Sequence, residues 1–460
     1  MNRMKYSIVL RFVKILNVLM ITAPFSLAWF LYYTNNGKPD TVGIWGEIAL
    51  IGMLMFLYVA FARVYDAFMI SSSRISEMIF SQVLSAFISD SLVFVVVWLL
   101  MPKFPNVIPI LLTFATQAVI SALWCLISHK LYFAVVPPRR SAIIYDIRED
   151  FRHLISEYGL EKKYKVELVL KDDECLENLD TLKGMETVFL IGISSSNRND
   201  ILKYCIDNCI QVYLIPLISD VLLSGAKQRH MFHLPMLRTE RYNPSPEYLF
   251  FKRLFDIVSS LSVLILVSPL LLVTAVAIKL CDWGPVFYKQ RRMTKDGRVF
   301  NVLKFRSMRV DAEKDGVARL STGTKDNRVT PVGKIIRKFR IDELPQLFNI
   351  LGGSMSVVGP RPERPEIAAQ YEEDLPEFRL RLQAKAGLTG YAQVYGKYNT
   401  TPIDKLKMDL MYISNPGFLT DLSLIFATIK ILFVPESTEG VAEGQVTASS
   451  NNEKKEKQNV

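Results

Sequence analysis

The chain of 460 residues has little of what marks several protein classes. Five cysteines make no disulfide framework at this length, and none of their spacings repeats a paired metal-ligand pattern. Cys205 and Cys209, one helical turn apart, and the neighbouring His230 and His233 lack the further ligands of a metal site, so ordinary packing or surface placement is expected of each pair. Glycine and proline, 22 of each, are too few for a collagen-like or low-complexity protein. Disorder is excluded by a hydrophobic content of 50%. At about 150 residues per domain, the length predicts three units. A net charge of +10 beside a mean hydropathy of +0.21 places charge and apolar residues in different parts of the chain.

Apolar residues load the front. Residues 15–33, 44–62, 83–101 and 106–127 are nearly free of charge, and each is about 20 residues long, the length that crosses a hydrocarbon core. Glu47 and Asp90 are the exceptions, and an interfacial position is expected for both. The first run has no small-residue cleavage site, so it does not read as a removed signal peptide. Arg3, Lys5, Arg11 and Lys14 precede the first run, Arg63 and Arg74 separate the second from the third, and Lys130, Arg139 and Arg140 follow the fourth. The other two loops hold only Lys38 and Lys103. The positive-inside rule then puts the N-terminus and everything after residue 130 in the cytoplasm.

Residues 1–135 thus read as a membrane α-helical bundle. In 141–235, β-rich runs at 142–145, 164–170, 187–191 and 211–215 alternate with helix-like stretches, the pattern of a small doubly wound α/β domain. Its first turn, Tyr145-Asp146-Ile147-Arg148, has no glycine, so a dinucleotide phosphate has no close approach to the backbone. A degenerate Rossmann-like module for structure or oligomerisation, or a binder of some other ligand, both remain open. Asn243-Pro244-Ser245-Pro246 marks a linker over 236–251, because successive X-Pro steps disfavour helix. The tail 436–460, rich in Ser, Asn, Glu and Lys, reads as disordered.

A fifth apolar run, 257–280, has basic residues on both flanks and Ser268-Pro269 at its midpoint. By length it spans a membrane. Proline removes a backbone bond and clashes with the preceding turn, so a re-entrant helix hairpin over 253–281 is expected, entering and leaving by one face.

Downstream, the segment 284–309 alternates around Lys295-Asp296-Gly297, which predicts a β-hairpin. Lys304 and Arg306 would then share one strand face, a pairing of cations suited to phosphate or diphosphate. Residues 331–341 form an amphipathic stretch with a cationic face, able to lie on anionic lipid. Asp342 and Glu343 follow directly. As neighbours they diverge on a helix and do not easily share a proton, so one carboxylate meets the substrate while the other holds a metal, and a site with few hard oxygen ligands fits magnesium. Arg361, between Pro360 and Pro362, would be presented rigidly to a developing charge. Gly387-Leu388-Thr389-Gly390 reads as another tight loop, and 418–433 as an apolar, membrane-associated helix.

These motifs resemble, in type and order over about 250–435, the bacterial monotopic phosphoglycosyl transferases that begin exopolysaccharide, capsule or O-antigen repeat units. They are Lys252-Arg253-x-x-Asp256, Ser268-Pro269, Lys304-Phe305-Arg306-Ser307-Met308, Asp342-Glu343-Leu344-Pro345-Gln346, Gly359-Pro360-Arg361-Pro362-Glu363 and Gly387-Leu388-Thr389-Gly390. The front half looks like the large-subfamily architecture. The resemblance implies an α+β monotopic catalytic domain over 252–435 that moves sugar 1-phosphate from a UDP-sugar to undecaprenyl phosphate, releasing UMP. Asp342 would be the nucleophile through a covalent phosphosugar intermediate, Glu343 would help hold Mg2+, and Arg337 and Arg361 match positions assigned to phosphate or nucleotide contact. Met293-Thr294 departs from the pattern, because many members have a glycine there. Membrane lipid and a homodimer are further expected partners, and the bacterial inner membrane is the expected location. Two other readings stay open: a non-catalytic assembly scaffold, and a glycosyltransferase that releases UDP. Nucleic acid is not an expected partner. Residues 252–341 hold 19 Lys and Arg against 7 Asp and Glu, an excess larger than that of the whole chain, so the positive charge is concentrated beside the carboxylate pair.

Overall fold

The computed structural model describes residues 2–36, 43–146, 155–156, 159–310, 328–396 and 400–432. The tail 436–460, Lys38 and the turn residues 147 and 148 lie outside them. The chain divides into two compact units, Met1–Ile215 and Pro216–Val460.

The first unit opens with four helices, α1 (Asn2–Ala28), α2 (Ile44–Val64), α3 (Ile75–Leu100) and α4 (Ile108–Val135). Each contains a stretch long and apolar enough to cross a membrane. α3 begins eight residues before the apolar run that the sequence marks, because Ser81 and Gln82 face the bundle interior, where they are buried. The bundle is apolar outside and sets polar residues among the apolar ones inside. Leu31, Phe56, Leu99 and Leu111 are exposed, whereas Asn17, Gln82 and Tyr58 form a buried hydrogen-bonded chain, with Asn17 donating to Gln82 and Tyr58 to Asn17. Small and polar residues at helix contacts are what lipid-embedded packing favours, since lipid solvates the apolar faces. Asp90 departs from the interfacial expectation. It lies in the middle of α3 and is buried, bonded to Gln117 of α4. Glu47 does lie in the first turn of α2, yet it too is buried.

After the bundle come β1 (Arg139–Tyr145), β2 (Tyr164–Lys171), α5 (Asp172–Glu177), β3 (Thr187–Ile191), α6 (Ser195–Asp207) and β4 (Gln211–Leu214). All strands are parallel, in the order β2-β1-β3-β4. Alternate residues of β1 and β3 enter opposite cores: Ala142, Ile144, Val188 and Leu190 pack with Cys175, Ile201 and Cys205, while Ile143, Phe189 and Ile191 pack with Tyr164. Cys205 is therefore core, whereas Cys209 is exposed. Groups of three or more His, Cys, Asp or Glu arranged for a metal are absent among the described residues.

The second unit begins with α7 (Ile218–Ser224), whose Val221 enters the unit's main core beside Leu406 and Leu410, and an antiparallel hairpin of β5 (Lys227–Met231) and β6 (Leu234–Arg238). His230 and His233 are exposed on that hairpin. Ser245 caps α8 (Pro246–Asp282) by accepting from the Tyr248 N–H, and Pro246 takes the first turn, where its missing N–H costs nothing. Helical structure runs through Pro269 for 37 residues, and the Ser268 hydroxyl donates to the Ile265 carbonyl. Buried positions recur on α8 at Asp256, Ser260, Leu264, Thr274 and Ile278, one stripe that packs on the rest of the unit. The expected hairpin forms between β7 (Phe287–Met293) and β8 (Val299–Phe305), turning through Asp296 and Gly297 at positive φ. Then follow α9 (Pro331–Lys338), α10 (Gln346–Leu351), β9 (Ser356–Val358), α11 (Pro365–Asp374), β10 (Gly387–Thr389), α12 (Tyr391–Tyr395), α13 (Pro402–Ser414) and α14 (Phe418–Leu432). β9 and β10 pair in parallel, and their backbones approach so closely that a Cβ on Gly359 would meet the Lys385 carbonyl at 2.2 Å. α14 is only partly a surface helix: Leu424 enters the core and Asp421 is buried.

Candidate active site

Helix α9 ends at Phe339, and Arg340 then adopts the left-handed conformation at φ 53°, a region non-glycine residues rarely occupy. That turn reverses the chain into the short 3-10 segment Ile341–Glu343, so the two carboxylates stand at a corner. With about three residues per turn, successive side chains diverge even more than on an α-helix. Glu343 goes inward. Its Oε1 accepts from Lys304 Nζ at 3.2 Å and from Arg361 Nη2 at 3.0 Å, which ties the end of the hairpin to the Pro-Arg-Pro segment. Glu343 and Lys304 are largely buried, whereas the Arg361 side chain is 42% exposed.

The two acids titrate apart. Burial pushes the Glu343 carboxyl up, but Lys304, Arg361 and Arg340 outweigh it and hold the group well below the usual carboxylate range. Asp342 is raised to about 6, first by burial and then by the neighbouring Glu343 charge, with Lys304 and Arg337 opposing. Lys304 is itself lowered by burial, against the pull of Glu343. The corner therefore holds one carboxylate pushed towards its ionised form and one poised near neutral pH, a separation typical of divided chemical roles.

Arg361 is fixed through its backbone. The three consecutive carbonyls of Pro360, Arg361 and Pro362 accept from Gly387 N–H at 2.9 Å, Arg381 Nη2 at 2.8 Å and Arg292 Nη1 at 2.9 Å respectively. Arg381 is anchored in turn by Asp409, at 2.9 Å from Nε and 2.7 Å from Nη2, and Arg292 by Gln290. These two arginines were read in the sequence as surplus charge or not at all. Only the fold shows that their donors meet the carbonyls flanking and including residue 361.

Arg337 bonds the Ser307 hydroxyl at 2.8 Å through Nε. Arg306 does not share the Lys304 position: β8 ends at Phe305, so the two-residue repeat stops one residue short, and Arg306 pairs with Asp282 at the end of α8. A Cβ on Gly284 would overlap the Arg306 guanidinium, at 2.3 Å from Nη1, so this glycine makes room for it. Arg306 Nε and Nη1 are buried without a hydrogen-bond partner. Ser268 and Pro269 lie far along α8 in an exposed stretch, apart from the carboxylates in sequence and contacts.

The basic residues that open α8 are fasteners as well as flanking charge. Lys252 pairs with buried Asp421 at 2.8 Å, Arg253 donates to the Ile350 and Leu351 carbonyls at 2.7 Å each, and Asp256 accepts from Val357 N–H at 2.9 Å and Ser356 Oγ at 3.2 Å. Thr294 has a role a glycine lacks: its hydroxyl donates to the Ser354 carbonyl and accepts from Ala386 N–H.

A bacterial sugar transferase family model matches residues 247–435. The chain is 42% identical over 226 residues to the UDP-N-acetylgalactosamine-undecaprenyl-phosphate N-acetylgalactosaminephosphotransferase of Aeromonas hydrophila, covering 48% of this chain and 52% of that protein. It is 40% identical over 222 residues to a UDP-glucose:undecaprenyl-phosphate glucose-1-phosphate transferase of Klebsiella pneumoniae, covering 45% and 47%. The exopolysaccharide production protein PSS of Rhizobium leguminosarum bv. phaseoli is 42% identical over 201 residues, 42% of this chain and 98% of that protein. The chain thus spans about half the length of the first two relatives and nearly all of the third.

Proposed function

The chain belongs to the bacterial sugar transferase family, and from that premise we propose that it transfers sugar 1-phosphate from a UDP-sugar to undecaprenyl phosphate, releasing UMP. The observation that supports this reading most is the Asp342-Glu343 corner, with a poised carboxylate beside an ionised one that two cations grip. In the proposed first step an Asp342 oxygen attacks the sugar-bearing phosphorus. The bond to the bridging oxygen breaks, UMP leaves with that oxygen, and an acyl phosphosugar remains. An oxygen of the lipid phosphate then attacks the same phosphorus and restores the Asp342 carboxylate. Splitting the transfer keeps the two anionic substrates from meeting. Lys304 and Arg361, both bonded to Glu343, face the developing phosphoryl charge, and Arg337 adds to that field. Arg306 is a further phosphate contact, supported by its two unpartnered buried N–H groups.

Glu343 suits Mg2+. Both of its side-chain hydrogen bonds among the described residues fall on Oε1, and magnesium is commonly held by one or two carboxylates with substrate phosphates completing its shell. Bound there, the ion would neutralise diphosphate charge.

For α8 the reading is a re-entrant membrane element. Its two ends are fastened to one body: Asp256 to Ser356 and Val357, Asp282 to Arg306. Leu264 and Leu271, on either side of Pro269, belong to one core cluster with Val302 and Ile350, whereas Ile265, Leu266 and Leu270 are exposed around the proline. A spanning helix would separate its ends by the bilayer, and a single folded body would then have to reach both faces. Exposed Trp283, Ile335 and Phe339 lie close in sequence to the site's cations, as interfacial anchors do. Together with the N-terminal Lys and Arg pattern, this supports a catalytic unit on the cytoplasmic face of the inner membrane. The exposed apolar residues Met231, Phe232 and Leu234 of the β5-β6 hairpin support a homodimer.

The test is nucleotide release by the purified membrane protein across a panel of UDP-sugars with undecaprenyl phosphate. UMP is expected. Release of UDP would establish a glycosyltransferase instead, and release of neither under any condition would leave the scaffold reading. Intact-protein mass after UDP-sugar alone should show one phosphosugar adduct, absent from Asp342→Asn.

A further inference from the structure

The centre of the four-helix bundle holds a set of polar atoms that the transfer reaction does not use. Asp90 on α3 is 3% exposed, Gln117 on α4 is 1% exposed and Ser121, one turn further along α4, is fully buried. Gln117 Nε2 donates to the Asp90 Oδ1 at 3.3 Å and to the Ile21 carbonyl of α1 at 2.9 Å, so three helices meet at this side chain. Three atoms of the group remain buried without a hydrogen-bond partner: Asp90 Oδ2, Gln117 Oε1 and Ser121 Oγ. All three are oxygens, and the carboxylate and amide oxygens can only accept.

What this place lacks is positive charge. Residues 15–33, 44–62, 75–100 and 108–129 contain no Lys or Arg, so no side chain from the middle of the bundle can neutralise Asp90. An isolated carboxylate in such surroundings is among the costliest groups a membrane protein can bury. A proton on Asp90 would remove the charge and could bridge Asp90 to one neighbouring oxygen, but it joins two atoms only. A single cation can draw on more than two oxygens at once. A carboxylate, an amide carbonyl and a hydroxyl are hard ligands, and one negative charge is balanced by one positive charge, which selects a monovalent ion over a divalent one.

We propose that Asp90, Gln117 and Ser121 form a binding site for one monovalent cation of the sodium class in the interior of the bundle, with water completing its shell. The ion would tie α3 to α4 and, through Gln117, to α1. Because it binds only where those helices are assembled, it stabilises the assembled bundle by mass action.

Equilibrium binding of 22Na+ to the full chain in lipid nanodiscs tests this directly. Saturable binding of one ion per chain is expected, displaced by unlabelled NaCl and not by choline chloride at equal ionic strength. Asp90→Asn should abolish it. Ser121→Ala, which removes one ligand and keeps the charge, should weaken it by about tenfold, so the proposal stays testable if the Asn variant does not assemble. Asp342→Asn should bind as the native chain does, which separates this site from the transfer chemistry. Absence of saturable binding by the native chain overturns the proposal and leaves a protonated Asp90, and binding that survives both bundle substitutions places the ion elsewhere.

Discussion

In the bundle, Asp90 meets the amide of Gln117, and no Lys or Arg comes from the surrounding helix interiors; in the second unit, Glu343 accepts from two cations at once. Both carboxylates are largely buried, yet the surroundings solve the cost differently. Around Glu343 the fold supplies counter-charges from β8 and the Pro-Arg-Pro segment, which favour its ionised form and let it organise a site. The lesson is that burial alone says little about a carboxylate's role: what decides it is whether the fold itself brings the compensating charge. Asp342 stands between the two cases, beside a like charge and within reach of opposite ones.

The largest effect that sharpens this contrast is expected at Asp342. Replacement by Asn should lower UMP release by about ten-thousandfold, measured as initial rate in nanodiscs with folding checked by gel filtration. Glu343→Gln should cost less, about a hundredfold to a thousandfold, because Lys304 and Arg361 lose their shared anchor. It should also move the acid limb of the rate profile downward, since the neighbouring negative charge that raises Asp342 is gone. If the limb moved up instead, the electrostatic account of the corner would be wrong. In the proposed first step the attacking form is the carboxylate. With Asp342 at about 6, kcat/KM should therefore be nearly flat above pH 7 and fall about tenfold per unit below pH 6. Arg292→Lys, which keeps a charge but loses the planar grip on the Pro362 carbonyl and on Gln290, should lower kcat about tenfold with a smaller change in KM. An unchanged kcat would mean that Arg361 needs no such clamp.

Much of this was legible from residue order. The parallel strands of the first unit follow from β-rich runs separated by helix-like stretches, and the β7-β8 hairpin from alternation about Asp296-Gly297. The meeting of Lys304, Glu343 and Arg361 was expected only as a convergence of charges, without partners. Arg306 was misplaced beside Lys304 because a sequence does not announce where strand pairing stops. Asp90 was misplaced because hydropathy cannot separate an interfacial acid from one facing a polar bundle interior. Arg381 and Asp409 left no readable signal, as their pairing joins positions 28 residues apart on separate elements. Lys252, Arg253 and Asp256 were visible as a motif, but their fastening roles depend on carbonyls and N–H groups whose positions only folding creates.

The fastening of α8 also has a consequence for how the protein is made. Its partners are synthesised after it: Asp256 is bonded from residues 356 and 357, and Lys252 from residue 421. At ribosomal speeds of about 5–20 residues per second, the first of these follows the end of the helix by roughly 4–15 s. Through most of that interval its described fastening is that of Asp282 to Arg306 at the far end, and its N-terminal half is a loose apolar stretch like the four that precede it. Its final placement is thus decided late, by chain that does not yet exist when the segment first meets lipid, and a pause in translation between residues 282 and 357 would prolong its exposure to the wrong choice.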